Sequence, residues 1–318
     1  MAISSRLGRM LSTPERPTAG KRAIKGGFHH MSPVSLEHHY LRANGVRFHV
    51  VRAGNGDKLL LLLHGFPEFW WSWRYQIEAF ADQYTVAAPD LRGYNETEKP
   101  ARGYELHELV QDVVELIQAL GFQRAYVAGH DWGGMIAWSL AIAHPERVER
   151  LIALNMPHPA RFYEELRRNP EQRRRSRYIL FFQIPWLPEI FLSARSGAAF
   201  DRIFRSTPID RAVFDKETIR RYKQAIARPG ALTAALNYYR AIGRHGAGDL
   251  FRGTGMRVRT PTLLIWGEQD VAFAPNVVHG TERFVADLRI CRLPHASHWV
   301  QQVAPNEVNA AIKTFLEA

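Results

Sequence analysis

The chain has 318 residues, 46% of them hydrophobic and 23% charged, and 42 Lys and Arg against 31 Asp and Glu give a formal net charge of +11. Such a composition describes a folded globular protein and excludes collagen, coiled coil and wholesale disorder. Apolar runs such as Leu59–Leu63 stop within a strand's length, short of the ~18 residues of a membrane span, so an integral membrane protein is excluded as well.

Residues 1–34 carry Arg6, Arg9, Arg16, Lys21, Arg22 and Lys25 against Glu15, with no apolar stretch long enough for a signal peptide. This reads as a disordered basic extension, with Met31 opening the folded part; a transit peptide is the other reading. The extension holds almost half of the excess charge, so the mildly basic remainder predicts no nucleic-acid partner. The single cysteine, Cys291, can form neither an intramolecular disulfide nor a thiolate cluster, which points to a reducing, cytoplasmic setting.

Two strands are predicted at Glu37–Arg42 and Val46–Arg52, joined by Asn44-Gly45, a dipeptide that favours a tight hairpin turn. A continuous apolar strand follows at Lys58–Leu63, then a helix around Trp73–Phe80 and a strand at Tyr84–Ala88. A helix at about Leu106–Leu120 leads to a strand at Arg124–Ala128, a buried helix at Gly133–Ala143 and a strand at Val148–Leu154. From Pro157 to Ala247 the pattern is helical, aromatic and Arg-rich without a buried strand. Alternation then returns with strand Pro261–Trp266, helix Pro275–Phe284, strand Asp287–Leu293 and helix Pro305–Glu317.

Repeated strand and helix predict a mostly parallel sheet covered by helices on both faces, at 35–156 and 248–318. The helical block, 157–247, is expected to lie over the strand carboxyl ends, where open parallel sheets bind ligands. Its Arg161, Arg167, Arg168, Arg173, Arg174, Arg175 and Arg177 alternate with Glu164, Glu165 and Glu171, which reads as a solvated helical surface.

Gly129-His130-Asp131-Trp132-Gly133 stands between a strand and a helix, the pattern of a nucleophile elbow with Asp in place of Ser. The alternative is that Asp131 only caps the helix. His64-Gly65-Phe66-Pro67 follows an apolar strand, where its backbone could offer one N–H to an oxyanion while Trp132 offers another. An acid and a histidine should come later in the chain: Asp270, with Glu268 as competitor, and His298, with His295 as rival.

Taken together, His64-Gly-Phe-Pro-Glu-Phe-Trp-Trp-Ser-Trp-Arg74, Asp90-Leu-Arg-Gly-Tyr94, Gly129-His-Asp-Trp-Gly-Gly134 and Ala296-Ser-His-Trp-Val300 closely resemble the soluble epoxide hydrolases of the α/β-hydrolase fold. The likeness runs from about Ser35 to the C-terminus. It implies Asp131 as nucleophile, Asp270 as relay acid and His298 as base, with the backbone of Phe66 and Trp132 as oxyanion hole. It also implies that Tyr178 and Tyr239 hold the epoxide oxygen, although on their own both read as core aromatics and Tyr238 is a neighbour to weigh. Trp70, Phe181, Phe182, Trp186 and Trp299 are the expected aromatic pocket.

An epoxide already has an electrophilic carbon, so a carboxylate ionised at neutral pH can attack it directly and leave an ester that water can cleave. Two phenols can protonate the departing oxygen. The expected partners are a small hydrophobic epoxide and water, and the expected cofactors and metals are none. Oligomeric state, a homodimer included, is not legible. A haloalkane dehalogenase is the nearest rival, and a non-catalytic small-molecule receptor on the same fold is the other.

Overall fold

The computed structural model describes residues 34–245 and 256–318. The expected N-terminal extension, apart from Val34, and the second boundary near residue 247 lie outside the described residues.

Eight strands form one sheet in the order β1-β2-β4-β3-β5-β6-β7-β8. They are β1 Glu37–Ala43, β2 Val46–Ala53, β3 Leu59–Leu63, β4 Thr85–Pro89, β5 Ala125–His130, β6 Val148–Leu154, β7 Thr262–Gly267 and β8 Leu288–Leu293. Asn44 and Gly45 both take positive φ, 45° and 74°, giving the tight turn that pairs β1 with β2 antiparallel. β2 is also antiparallel to β4, and the remaining pairs are parallel. The five leucines of β3 are all buried, as a strand covered on both faces requires.

Helices α1 Arg74–Phe80, α2 Leu106–Ala119 and α3 Trp132–Ala143 follow β3, β4 and β5 in turn. Residues 132–142 of α3 are buried on every side, because sheet, α2 and the next layer of helices enclose it. Between β6 and β7 the described chain is helical. It comprises α4 Pro159–Arg168, α5 Pro170–Arg175, α6 Arg177–Phe182, α7 Leu187–Phe204, α8 Pro208–Val213, α9 Lys216–Ile226 and α10 Ala231–His245. After β8 come α11 Val300–Val303 and α12 Pro305–Glu317.

The structure corrects one expected element. Pro275–Phe284 is not an α-helix but two short 3-10 turns, Pro275–Val278 and Thr281–Arg283, divided at Gly280, whose φ of 81° is left-handed.

Parallel pairing puts the carboxyl ends of β3, β5, β7 and β8 at one edge of the sheet. The segments after these four strands carry Phe66, Asp131, Asp270 and His298. Residues far apart in the chain are thus neighbours by topology alone.

Candidate active site

Asp131 occupies the turn between β5 and α3 with φ 50° and ψ −120°, a conformation few non-glycine residues adopt. The turn closes only because its flanks lack side chains. A Cβ on Gly129 would lie 2.2 Å from the Gly133 carbonyl oxygen, and one on Gly133 would lie 2.1 Å from that of Leu63. Asp131 stands at the N-cap of α3, yet its side chain accepts no cap hydrogen bond from that helix. Its Oδ1 instead accepts the Phe66 N–H at 2.8 Å, across from the loop after β3. Trp132 is the first residue of α3, where backbone N–H groups have no acceptor within the helix.

His298 lies between two carboxylates. Its Nε2 is 3.6 Å from Asp131 Oδ2, and its Nδ1 is 2.8 Å from Asp270 Oδ2. Asp270 is held on all sides: Oδ2 also accepts Asn155 Nδ2 at 2.6 Å, and Oδ1 accepts the amides of Ala272 at 2.6 Å and Phe273 at 3.1 Å. The competitors are elsewhere. Glu268 pairs with Arg292 at 3.3 Å and His295 with Glu307 at 2.7 Å, both on the surface.

These contacts set the charges. Burial disfavours ionisation of Asp131, but the hydrogen bond and charge of His298 outweigh it and hold the carboxyl below the usual range. Asp270 is held down in the same way by His298 and Asn155. Burial also opposes the charge on His298, and the two carboxylates overcome it, raising the imidazole well above its ordinary value.

Tyr178 on α6 and Tyr239 on α10 meet above this group with ring centroids 5.9 Å apart. The Tyr239 ring stands edge-on to Trp132 at 5.0 Å and to Phe66 at 5.6 Å. Burial, reinforced by the negative charge of Asp131, raises both phenols, so they stay protonated and able to donate at neutral pH. Tyr238 also touches Trp132, but its hydroxyl donates to the Arg92 carbonyl at 2.8 Å and is committed there.

Of the expected pocket aromatics, Phe182 packs on Phe66, Tyr178 and Tyr239, and Phe181 packs behind it. Trp299 backs His298 at 4.9 Å. Two expectations are corrected. Trp186 is 78% exposed, because it stands with φ 59° at the bend before α7, and Trp70 is buried with its ring contacts on His38 and Phe69 rather than on the rings around Asp131. No group of His, Cys, Asp or Glu among the described residues is arranged to hold a metal.

Sequence reasoning missed a second buried pair. Glu68 Oε2 is 2.9 Å from His130 Nδ1 and accepts the Gly65 N–H at 3.1 Å. His130 Nε2 in turn lies 2.8 Å from the carbonyl oxygen of His298, while Gln301 and Gln302 donate to Glu68 Oε1 at 3.1 and 2.8 Å. This network ties the loop after β3, the elbow and the histidine loop to one carboxylate. The only signal was an acid three residues beyond Gly65, beside a histidine preceding the elbow acid.

The family described as the alpha/beta hydrolase fold matches residues 58–305. Human epoxide hydrolase 4 is 42% identical over 301 residues, covering 90% of this chain and 81% of that protein. Xenopus tropicalis epoxide hydrolase 3 is 40% identical over 296 residues, covering 88% of this chain and 78% of that one. Among solved structures, an inhibitor complex of the Bacillus megaterium epoxide hydrolase superposes with a TM-score of 0.80 at 33% identity, covering 88% of this chain and all of that one.

Proposed function

Since the chain belongs to the epoxide hydrolases of the α/β-hydrolase fold, we propose that it converts an epoxide and water to a vicinal diol through an ester on Asp131. The observation that carries the mechanism is the placement of His298 between Asp131 and Asp270, beneath two protonated phenols.

In the first half Asp131 Oδ2, the oxygen that does not accept the Phe66 N–H, attacks a ring carbon. The carbon–oxygen bond breaks, and its electron pair goes to the ring oxygen, which takes a proton from Tyr178 or Tyr239. Attack on the opposite side of the ring from two donors needs no metal and no organic cofactor. In the second half His298, oriented through Nδ1 by Asp270, takes a proton from water as that water adds to the ester carbonyl. The oxyanion that forms is met by the Phe66 and Trp132 amides. Collapse returns the proton to the departing diol, and the proton left on the carboxyl side restores the phenol.

Residues 157–247 act in this reading as a cap that carries both phenols and the aromatic wall of Phe181 and Phe182. Among the described residues no helix is long and apolar enough to cross a membrane. The single cysteine supports a cytoplasmic setting.

The deciding experiment is turnover of styrene oxide, a fatty-acid epoxide, a haloalkane and a p-nitrophenyl ester by the wild type and Asp131→Ala. Diol from the epoxides, abolished by the substitution, is the expected result. Faster halide release than diol formation, or no turnover of any substrate, would overturn the reading in favour of a dehalogenase or a receptor.

A further inference from the structure

We propose that the outer face of α6 and the start of α7 is a docking surface for an anionic lipid bilayer. Of the ten exposed large apolar side chains among the described residues, six fall in one short segment: Leu180, Ile184, Trp186, Leu187, Ile190 and Phe191. Single exposed apolar residues are ordinary, but a concentration of this kind marks an interaction surface. Leu187, Ile190 and Phe191 share a face of α7 by their spacing, and a ring contact of 5.7 Å between Phe181 and Phe191 joins that face to α6.

The segment is fixed from behind by Arg240. Arg240 donates to the carbonyls of Phe182 at 3.1 Å and Ile184 at 3.0 Å and pairs with Glu189 at 2.8 Å. Presenting these side chains to solvent is therefore the packed state of the cap.

Charge selects the occupant. Arg174, Arg177 and Arg195 are exposed around the segment and carry no ion pair among the described residues. The nearby acids are already taken: Glu171 by Arg175, Glu189 by Arg240 and Asp201 by Lys223. Apolar side chains within a rim of unpaired guanidinium groups match the acyl boundary and phosphates of an anionic interface. A second copy of this chain fits less well, because a two-fold contact would bring the same arginines together.

The surface also leads to the site. Ring contacts run from Phe191 to Phe181 at 5.7 Å, to Phe182 at 6.0 Å, and from there to Tyr239 at 5.1 Å and Tyr178 at 5.5 Å. An apolar epoxide dissolved in the bilayer would meet this aromatic track before it met water. That delivery role rests on the epoxide hydrolase reading; the docking itself does not.

Flotation of the full chain with vesicles of phosphatidylcholine, with and without phosphatidylglycerol, tests the docking. Binding is expected with the anionic vesicles and should weaken as salt is raised. Leu180→Ser/Ile190→Ser should lower the partition coefficient by about tenfold or more, on the scale of the apolar surface removed, while turnover of a water-soluble epoxide stays unchanged. Delivery is read separately, as loss in the same variant of the rate on a vesicle-borne epoxide alone. Failure of the wild type to bind would overturn the proposal, as would binding indifferent to the two substitutions, which would place it on another basic segment. A dimer in solution that the two substitutions disperse would overturn it too, by making the face a contact between copies.

Discussion

Replacing His298 by Gln should separate the two chemical halves and leave the protein trapped between them. The variant cannot accept a proton from the hydrolytic water, and a positioned general base contributes about 10²- to 10⁴-fold, so cleavage of the ester should slow by that factor. Ring opening is affected differently. Asp131 keeps the Phe66 N–H at 2.8 Å but loses a cation at 3.6 Å, an attraction of about 5 kcal/mol at an effective dielectric of about 20. Its carboxyl then answers mainly to burial, which raises its pKa, so ring opening should slow at neutral pH and recover as the pH is raised. Under mildly alkaline conditions an ester should accumulate. Intact-protein mass spectrometry should show an increase equal to the whole mass of the epoxide, since addition expels nothing, and peptide mapping should place it on Asp131. A variant that stays both inactive and unmodified across that pH range would refute the reasoning, because His298 would then be needed before the ring opens.

Three further outcomes are expected. Tyr178→Phe and Tyr239→Phe should each slow ring opening in single-turnover kinetics, and the double variant should be nearly inactive. Tyr238→Phe should change the rate little and cost about 1 kcal/mol of stability for its bond to Arg92, read by urea denaturation. Glu68→Gln should cost about 2–3 kcal/mol, measured in the same way, because an amide nitrogen would face donors from Gly65, His130, Gln301 or Gln302. Stability should also vary with pH through the site. His298 is raised in the folded state, so its contribution is complete below its ordinary value of 6.5 and is lost as pH rises through the raised one. Thermal melts should therefore show an alkaline decline that His298→Gln lacks. Asp131 and Asp270, both lowered, act in the opposite sense, contributing above their ordinary 3.8 and failing as the pH falls through their folded values.

The strands and the elbow were legible because their patterns are local. Five leucines in a row or a strand followed by Gly-x-Asp-x-Gly admit few arrangements. Pro275–Phe284 misled because its helical spacing is interrupted by Gly280, whose left-handed backbone depends on what the chain packs against. Residue type alone points to Trp186 as a pocket residue, whereas the bend before α7 turns it outward. The Glu68 network was hidden for another reason: its members come from the loop after β3, the end of β5, the loop of His298 and α11, and only the parallel sheet brings them together.

The place of His298 between two carboxylates has a consequence for the timing of the cycle. While Asp131 is ionised, both flanking charges favour the imidazolium, which has no lone pair with which to take a proton from water. Esterification of Asp131 deletes one of those charges and leaves its carbonyl uncharged in the same place. With only Asp270 remaining, the burial that opposed the cation counts for more, and the hold on the proton weakens. In the proposed mechanism the nucleophile thus restrains the base until it has itself been consumed, and loss of the imidazole proton is favoured only when there is an ester for its water to attack. The enzyme therefore needs no moving part to order its two steps.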